Sequence, residues 1–103
     1  MMKSDNLIQQ KTYEFALEMI KLAHRLKGAT QYEISSQMLR SGTSIGANVE
    51  EAIGGQSRKD FCSRLSIAYK EARESHYWLR LIRDANLYEE EEVNRRLFEC
   101  EEI

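Results

Sequence analysis

The 103-residue chain contains no proline, only two cysteines and no long apolar run. Proline breaks or kinks helix interiors, so its absence favours long, uninterrupted helices. No apolar segment approaches the roughly 20 residues that cross a bilayer, so we expect no membrane partner. Because no signal peptide precedes the cysteines, we expect a cytoplasmic protein with reduced thiols. The length predicts a single domain over residues 1–103.

Glycine is also scarce, and four of the five glycines lie within the stretch SGTSIGANVEEAIGG, residues 41–55. A Walker-type phosphate loop needs a Gly-Lys-Ser/Thr ending after a strand, and that ending is missing. Apolar residues recur here every three or four positions. We therefore interpret the stretch as the second half of a helix whose small residues allow close packing, ended by the glycine pair at 54–55. Weak anion binding by Arg58, Lys59 and nearby backbone amides stays open.

Helical spacing of apolar residues predicts four amphipathic helices. The first runs over residues 6–27, with Ser4 or Asp5 as its cap and Gly28 as the residue that ends it. The second begins near residues 31–33, with Thr30 as its cap. The predicted core positions of these two helices are Ile8, Thr12, Phe15, Ala16, Met19, Leu22, Ala23, Leu26, Ile34, Met38, Ser41, Gly42, Ile45, Val49, Ala52 and Ile53.

The third helix follows the capping box Ser57-Arg-Lys-Asp60 and runs to about Asp84. The fourth opens with four glutamates at 89–92, where the helix dipole favours acids. The fourth helix is short beside its partners: either it is truncated at residue 103, or one end of the bundle lacks cover. The core positions of both helices are Phe61, Leu65, Ala68, Ala72, Ser75, Leu79, Ile82, Val93, Leu97 and Cys100, with Ile103 as a further candidate. Short links between the helices predict an antiparallel up-down-up-down four-helix bundle.

The net charge is only −2, but it is unevenly distributed. Residues 57–83 hold seven Lys/Arg against three Asp/Glu, and residues 84–103 hold two against eight. These segments are expected to compensate each other as neighbouring antiparallel helices. The alternative is that the third helix meets an anionic partner, RNA or DNA. The candidate nucleic-acid contacts are Lys59, Arg64, Lys70, Arg73, Arg80 and Arg83.

No constellation of residues predicts catalysis. A di-metal bundle needs Glu-x-x-His motifs, but Lys21 and Arg73 stand three residues before His24 and His76. Cys62 and His76 would lie about 21 Å apart along one helix, too far for a nucleophile and its base. Cys100 would lie about 15 Å from Cys62, beyond the reach of a disulfide. We predict a non-enzymatic protein with no catalytic residue, metal, cofactor or small-molecule substrate.

Two further groups of residues have open interpretations. Tyr77 and Trp78 lie on a helix that is apolar on more than one face, which indicates burial against another subunit. The alternative is base stacking on nucleic acid by Tyr69, Tyr77, Trp78 and Tyr88. Asn48 and Glu51 flank the core stripe of the second helix, where polar groups need partners. We predict a structural polar pair that links helices or subunits, with a ligand-contacting patch as the alternative.

The segment LRSGTSIGANVEEAIGGQSRKDFCSRLSIAYKEA resembles the 23S rRNA intervening-sequence proteins. The hallmark of that family is a Leu-Arg pair, S-I-x-x-N-I-x-E-G, a glycine-containing turn, S-x-x-[DE]-F and L-x-I-A. The matching residues are Leu39, Arg40, Ser44, Ile45, Asn48, Val49, Glu51, Gly54, Ser57, Asp60, Phe61, Leu65, Ile67 and Ala68. The positions that depart from the pattern are Glu50, Ala52, Gly55, Gln56, Lys70 and Glu71, several of which alter surface charge.

The resemblance extends over nearly the whole chain. It implies an antiparallel four-helix bundle that assembles into a ring, a homopentamer. One branch of the family, the accessory protein of diversity-generating retroelements, works with a reverse transcriptase and nucleic acid. Other members are encoded within rRNA intervening sequences and have no assigned activity. We therefore expect a homo-oligomeric scaffold of unassigned cellular role; the alternative is a nucleic-acid or ribonucleoprotein accessory factor.

Overall fold

The computed structural model describes residues 3–26, 32–55 and 57–103, and within these ranges the backbone forms four α-helices and no strand. The helices are α1 (Lys3–Arg25), α2 (Tyr32–Ile53), α3 (Arg58–Asp84) and α4 (Glu90–Glu101). The predicted all-α class is confirmed, and each helix lies within three residues of its predicted bounds. With 12 residues, α4 is about half as long as the other helices.

The start of α1 differs from the prediction. The helix already begins at Lys3, so Ser4 and Asp5 lie inside its first turn. An N-cap residue precedes the first helical residue, and the proposed cap is therefore wrong. The residues that were predicted to end α1 and to cap α2, Gly28 and Thr30, lie outside the described residues.

The turn between α2 and α3 depends on glycine. The amide of Gly54 donates to the carbonyl of Glu50 at 3.0 Å, which extends the hydrogen bonding of α2 by one residue. A Cβ atom at Gly55 would lie 2.5 Å from Asp60 Oδ2 and 3.1 Å from the carbonyl of Ala52. A side chain at position 55 would force the Asp60 carboxylate to rotate away and the Ala52 carbonyl to move by a few tenths of an ångström, so glycine is the residue that fits this turn without adjustment.

The ends of α3 follow capping rules. The backbone amide of Asp60 donates to Ser57 Oγ at 3.0 Å, so Ser57 is the N-cap that the sequence predicts. Beyond the other end, Asn86 has a φ of 57°. Asparagine tolerates this left-handed conformation better than most residues do, and it turns the chain toward α4.

Side chains from all four helices form one hydrophobic core. Fully enclosed residues include Met19, Leu22, Met38, Ile45, Leu79, Ile82 and Val93. The predicted stripes are confirmed: every core position named above is buried or packed against the core at its edge, except Ala16 and Phe61, which are half-buried.

The small residues of α2 bring two helices close together. A Cβ atom at Gly42 would lie 2.5 Å from Met19 Cγ, and one at Gly46 would lie 3.2 Å from the carbonyl oxygen of Thr12. The face of α2 that carries these small residues, which we call its slim face, is therefore covered by α1 within the same chain. That α2, together with the broad apolar surface of α3, contributes to interfaces between subunits stays a prediction.

Each helix packs against two others: α1 and α3 both contact α2 and α4. Two fully buried hydroxyls join α2 and α3, where Ser75 Oγ donates to Ser41 Oγ at 2.9 Å. Ser41 Oγ in turn donates to the carbonyl of Met38 at 3.2 Å. Both hydroxyls thus have partners, as buried polar groups require.

Candidate functional surfaces

The six predicted nucleic-acid contacts do not form one surface. Arg64 Nη2 lies 3.7 Å from Glu51 Oε1 of α2, and Arg83 Nη1 donates to Asn94 Oδ1 of α4 at 3.2 Å. Arg64 therefore leans toward α2, whereas Arg83 divides its contacts between α4 and Asp84 of its own helix, whose Oδ1 accepts from Arg83 Nε at 2.8 Å. The other four cations are exposed and belong to no ion pair among the described residues: Lys59, Lys70, Arg73 and Arg80.

The spacings between these four cations are 11, 3 and 7 residues, all near whole helical turns, so they share one outward face of α3. Two tyrosines share this face: Tyr69 is 62% exposed and Tyr77 is 47% exposed. The guanidinium carbon of Arg80 lies 5.9 Å from the centre of the Tyr77 ring, within cation–π range. We call the four cations and the two tyrosines the cationic face.

Trp78 is positioned differently from Tyr77, although the sequence groups them. Its ring packs against the core of the chain itself, and its Nε1 donates to Glu74 Oε2 at 3.1 Å. The same carboxylate oxygen lies 2.7 Å from Arg40 Nη2 of α2. Trp78 is thus already held inside the chain, whereas Tyr77 remains exposed.

Asn48 and Glu51 point to different partners. Asn48 Nδ2 donates to the carbonyl of Ser44 at 2.9 Å, one turn back in the same helix. The Glu51 carboxylate is exposed and reaches Arg64 of α3. Glu51 therefore links two helices through a solvent-exposed ion pair, a type of contact worth less than about 1 kcal/mol. A role for either residue between subunits stays a prediction.

An exposed apolar strip along α1 escaped the sequence reasoning. Tyr13 is 61% exposed, Leu17 is 39% exposed and Ile20 is 49% exposed. Their spacing of four and three residues is itself helical, so the signal was present as a second stripe beside the core stripe. Beside Ile20, a groove of about 300 Å³ separates α1 from Tyr32 and Leu39 of α2.

The second feature that sequence reasoning missed is a buried arginine. Arg96 of α4 is only 6% exposed. Its Nη1 donates to the Glu18 carboxylate of α1 and lies 3.4 Å from Glu92 Oε2. Its Nε lies 3.0 Å from Glu99 Oε1, close enough for an ion pair but not aligned for a hydrogen bond. The only signal in the sequence was that position 96 lies beside the stripe residues 93, 97 and 100.

The carboxylates around Arg96 differ in protonation behaviour. Burial tends to raise the pKa of Glu18, but hydrogen bonding from Lys21 and the charge of Arg96 outweigh it and hold this pKa below its ordinary value. Burial raises the pKa of Glu99, and the negative charges of Glu18 and Glu92 raise it further. The positive charge of Arg96 lowers this pKa, but by less. Burial, more than neighbouring charge, therefore sets the direction of this pKa shift.

Beside this cluster, α1 and the end of α4 enclose a cleft of about 460 Å³. Its lining combines apolar side chains with four carboxylates and one amine: Lys11, Glu14, Phe15, Leu17, Glu18, Glu99 and Glu102. We call it the acidic cleft. Glu14 and Glu102 are exposed there and belong to no ion pair among the described residues.

Comparison with known proteins decides the family. The family model for the 23S rRNA-intervening sequence protein matches residues 4–103. The chain belongs to this family. It is also similar to the crystal structure of a protein of unknown function from the S23 ribosomal protein family of Bacteroides thetaiotaomicron VPI-5482. The two are 40% identical, the match covers 95% of this chain and 88% of that one, and the TM-score is 0.90. No curated protein matches the chain.

In this 23S rRNA-intervening sequence protein, the two cysteines have different surroundings. Cys100 is buried, and its thiol donates to the carbonyl of Ala72 at 3.2 Å. Burial, with a smaller effect of the Glu101 charge, raises the pKa of Cys100 to about 12. Cys62 is exposed. A thiol such as Cys100 has almost no thiolate at neutral pH and is a poor nucleophile or metal ligand.

Within the described ranges, this family member has no group of three or more His, Cys, Asp or Glu side chains arranged to hold a metal ion. Over the same residues, no helix is long and apolar enough to cross a membrane.

Proposed function

We propose that this protein is a non-enzymatic scaffold that assembles with copies of itself and is built on an antiparallel up-down-up-down bundle. The cellular role of the scaffold is unassigned. The observation that carries the proposal is the exposed apolar strip of Tyr13, Leu17 and Ile20 on α1. Apolar side chains that line up on one outer helix face are typical of surfaces that bind another protein.

The contacts between helices support the proposed topology, because partners run in opposite order along neighbouring helices. In each pair of helices, a later residue of one helix meets an earlier residue of the next. The supporting contacts are Thr12 with Gly46 and Met19 with Gly42, Arg40 with Glu74 and Glu51 with Arg64, His76 with Glu101 and Arg83 with Asn94, and Glu18 with Arg96 and Arg25 with Glu92.

Size-exclusion chromatography with light scattering tests the assembly. We expect a mass that is a whole multiple of the 12.1 kDa chain, and the resemblance that suggested a ring makes five copies the proposed number. A monomer at micromolar concentration would refute the scaffold proposal. As a matched pair, Leu17→Ser should weaken assembly, whereas Leu7→Ser, another exposed leucine on α1, should not.

The second candidate function is nucleic-acid binding, as a ribonucleoprotein accessory factor or reverse-transcriptase partner. The cationic face favours it, because exposed cations next to exposed tyrosines suit both phosphates and unstacked bases. A relation to the accessory protein of diversity-generating retroelements belongs to this proposal. RNA binding that weakens steeply with salt would support it, and no binding of a single-stranded RNA at low salt would refute it.

We also propose that the protein has no enzymatic activity, cofactor or small-molecule substrate, and that it is cytoplasmic. Two unpaired cysteines support the location, since reducing compartments keep thiols free. Fractionation of cells that express a tagged chain tests the location.

A further inference from the structure

We propose that the acidic cleft of one copy receives the cationic face of a second copy, so that copies join head to tail. This inference rests on the proposed self-assembly and adds the two surfaces that would meet. The two surfaces lie on different parts of the chain, α1 with α4 on one side and α3 on the other. Each copy would therefore use both surfaces at once, once with each neighbour.

The acidic cleft has the form of a binding groove. Its volume of about 460 Å³ is the size of several side chains, and Phe15 and Leu17 give it apolar walls. Glu14 and Glu102 stand exposed at its rim without an ion-pair partner among the described residues. Within it, the burial of Glu99 is not compensated by Arg96. An added cation would therefore be stabilised there.

The cationic face offers the complementary groups. Lys70, Arg73 and Arg80 are exposed and unpaired among the described residues; Tyr77 lies between Arg73 and Arg80, and Tyr69 lies next to Lys70. From Lys70 to Arg80 the face extends about 15 Å along the helix axis, and the α1 wall of the cleft, from Lys11 to Glu18, extends about 10 Å. In such a contact, Tyr77 would pack on the apolar wall of the cleft. Arg73 and Arg80, on either side of Tyr77, would pair with the carboxylates at the rim.

The charge of the whole chain favours a second copy as the occupant. The net charge is only −2, yet one surface carries unpaired cations and another carries unpaired carboxylates. Contact between copies would neutralise both surfaces at once. Because the contact joins two different surfaces, it is heterologous, and such contacts close into rings when the rotation between copies allows it.

Charge reversal on each surface tests the contact in the full chain. The first variant carries Arg73→Glu and Arg80→Glu, and the second carries Glu14→Lys and Glu102→Lys. All four residues are exposed, so circular dichroism should show wild-type helix content in both. The control carries Arg58→Glu and Glu33→Lys, which reverse as many exposed charges outside both surfaces. Masses are measured by light scattering.

We expect each variant alone to lose assembly, with a dissociation constant raised at least about tenfold, since buried or close charge pairs contribute about that much to association. The control should assemble like the wild type. A chain that carries all four substitutions should assemble again, because the reversed face of each copy then meets the reversed cleft of the next copy. Raising NaCl from about 0.1 M to about 1 M should weaken the wild-type assembly, as screening shortens from about 10 Å to about 3 Å.

The outcomes separate this inference from the scaffold proposal. A monomeric wild type would overturn both. An assembled wild type whose charge-reversed variants also assemble would overturn the inference and leave the scaffold proposal standing. If the first variant keeps its assembly but no longer binds single-stranded RNA, the cationic face serves nucleic acid, and the inference is again overturned. Restored assembly of the chain with all four substitutions is the result that supports it.

Discussion

The close approach of α1 and α2 predicts that alanine at position 42 destabilises the protein, although alanine is the better helix former. A Cβ atom there would lie 2.5 Å from Met19 Cγ and 3.1 Å from Met19 Cβ. Favourable carbon contacts need about 3.5–4.0 Å. Met19 is fully buried, so its side chain has no open space into which it can swing. Either the methionine leaves its preferred rotamer or the two helices move apart.

The magnitude follows from two opposing effects. An extra methyl group in a packed core costs about 1–3 kcal/mol. Replacing glycine by alanine in a helix interior returns about 1 kcal/mol. We expect Gly42→Ala to lower the free energy of unfolding by about 1 kcal/mol, with the steric cost as the larger effect.

Urea unfolding followed by circular dichroism at 222 nm measures this change at one fixed protein concentration, since self-association would also alter apparent stability. Gly54→Ala is the matched control. A Cβ atom at Gly54 would lie 3.6 Å from the carbonyl of Glu50, an ordinary contact, and no described glycine has a positive φ. Alanine at this position should therefore be neutral or stabilise the protein by up to about 1 kcal/mol, because it restricts the unfolded chain.

A double-mutant cycle identifies the contact itself. In a Met19→Ala background Cγ and Sδ are gone and only Cβ, 3.1 Å from the added methyl group, remains, so Gly42→Ala should become neutral or stabilising by up to about 1 kcal/mol through helix propensity. If Gly42→Ala stabilises the wild-type background as Gly54→Ala does, the two helices are not as close as described, and the reasoning is refuted.

Three further predictions follow from single contacts. Arg96→Ala should lower the free energy of unfolding by about 2–3 kcal/mol, because it leaves crowded, partly buried carboxylates without their cation. The matched control Arg95→Ala removes an exposed arginine and should change the free energy of unfolding by less than about 0.5 kcal/mol. Equal urea midpoints for the two variants would contradict this prediction. Ser57→Ala should cost about 1 kcal/mol by removing the N-cap of α3, and Ser57→Asp should retain most of the stability; a larger loss for the aspartate would refute the cap. A thiol reagent at neutral pH should label Cys62 quickly and leave Cys100 unlabelled in the folded protein, and Cys62→Ser should abolish the fast phase; fast labelling of Cys62→Ser would show that Cys100 is open to solvent.

Local patterns in the sequence were sufficient for the helices and for most of the core. The period of 3.6 residues identifies the buried side of each helix without knowledge of its neighbours, which is why Met38, Ile45 and Val49 were assigned correctly. The S-x-x-D box likewise located the start of α3, because the cap and the amide it binds are three residues apart. The start of α1 was less well located, because several polar residues in a row offer equivalent caps.

Charge placement could not be read in the same way. Arg64 and Arg83 looked like members of one basic surface, but the neighbouring helices supply Glu51 and Asn94 as their partners. Arg96 was not singled out in the sequence, and only the approach of α1 with Glu18 encloses it. A long, flexible arginine side chain can turn several ångströms to either side, so its position along a helix does not determine which residue it meets.

The sequence by itself determined the elements of this protein: four amphipathic helices, the side of each that faces the core, and the glycines and serine at the turn between α2 and α3. These features depend on interactions between residues a few positions apart, which the order of amino acids specifies directly. The tertiary structure alone decided that the slim face of α2 is covered by α1, that Arg96 lies inside a ring of carboxylates, and that unpaired cations and unpaired acids stand on separate surfaces. Those features depend on which distant residues meet, because burial and partner choice arise only when the helices pack together.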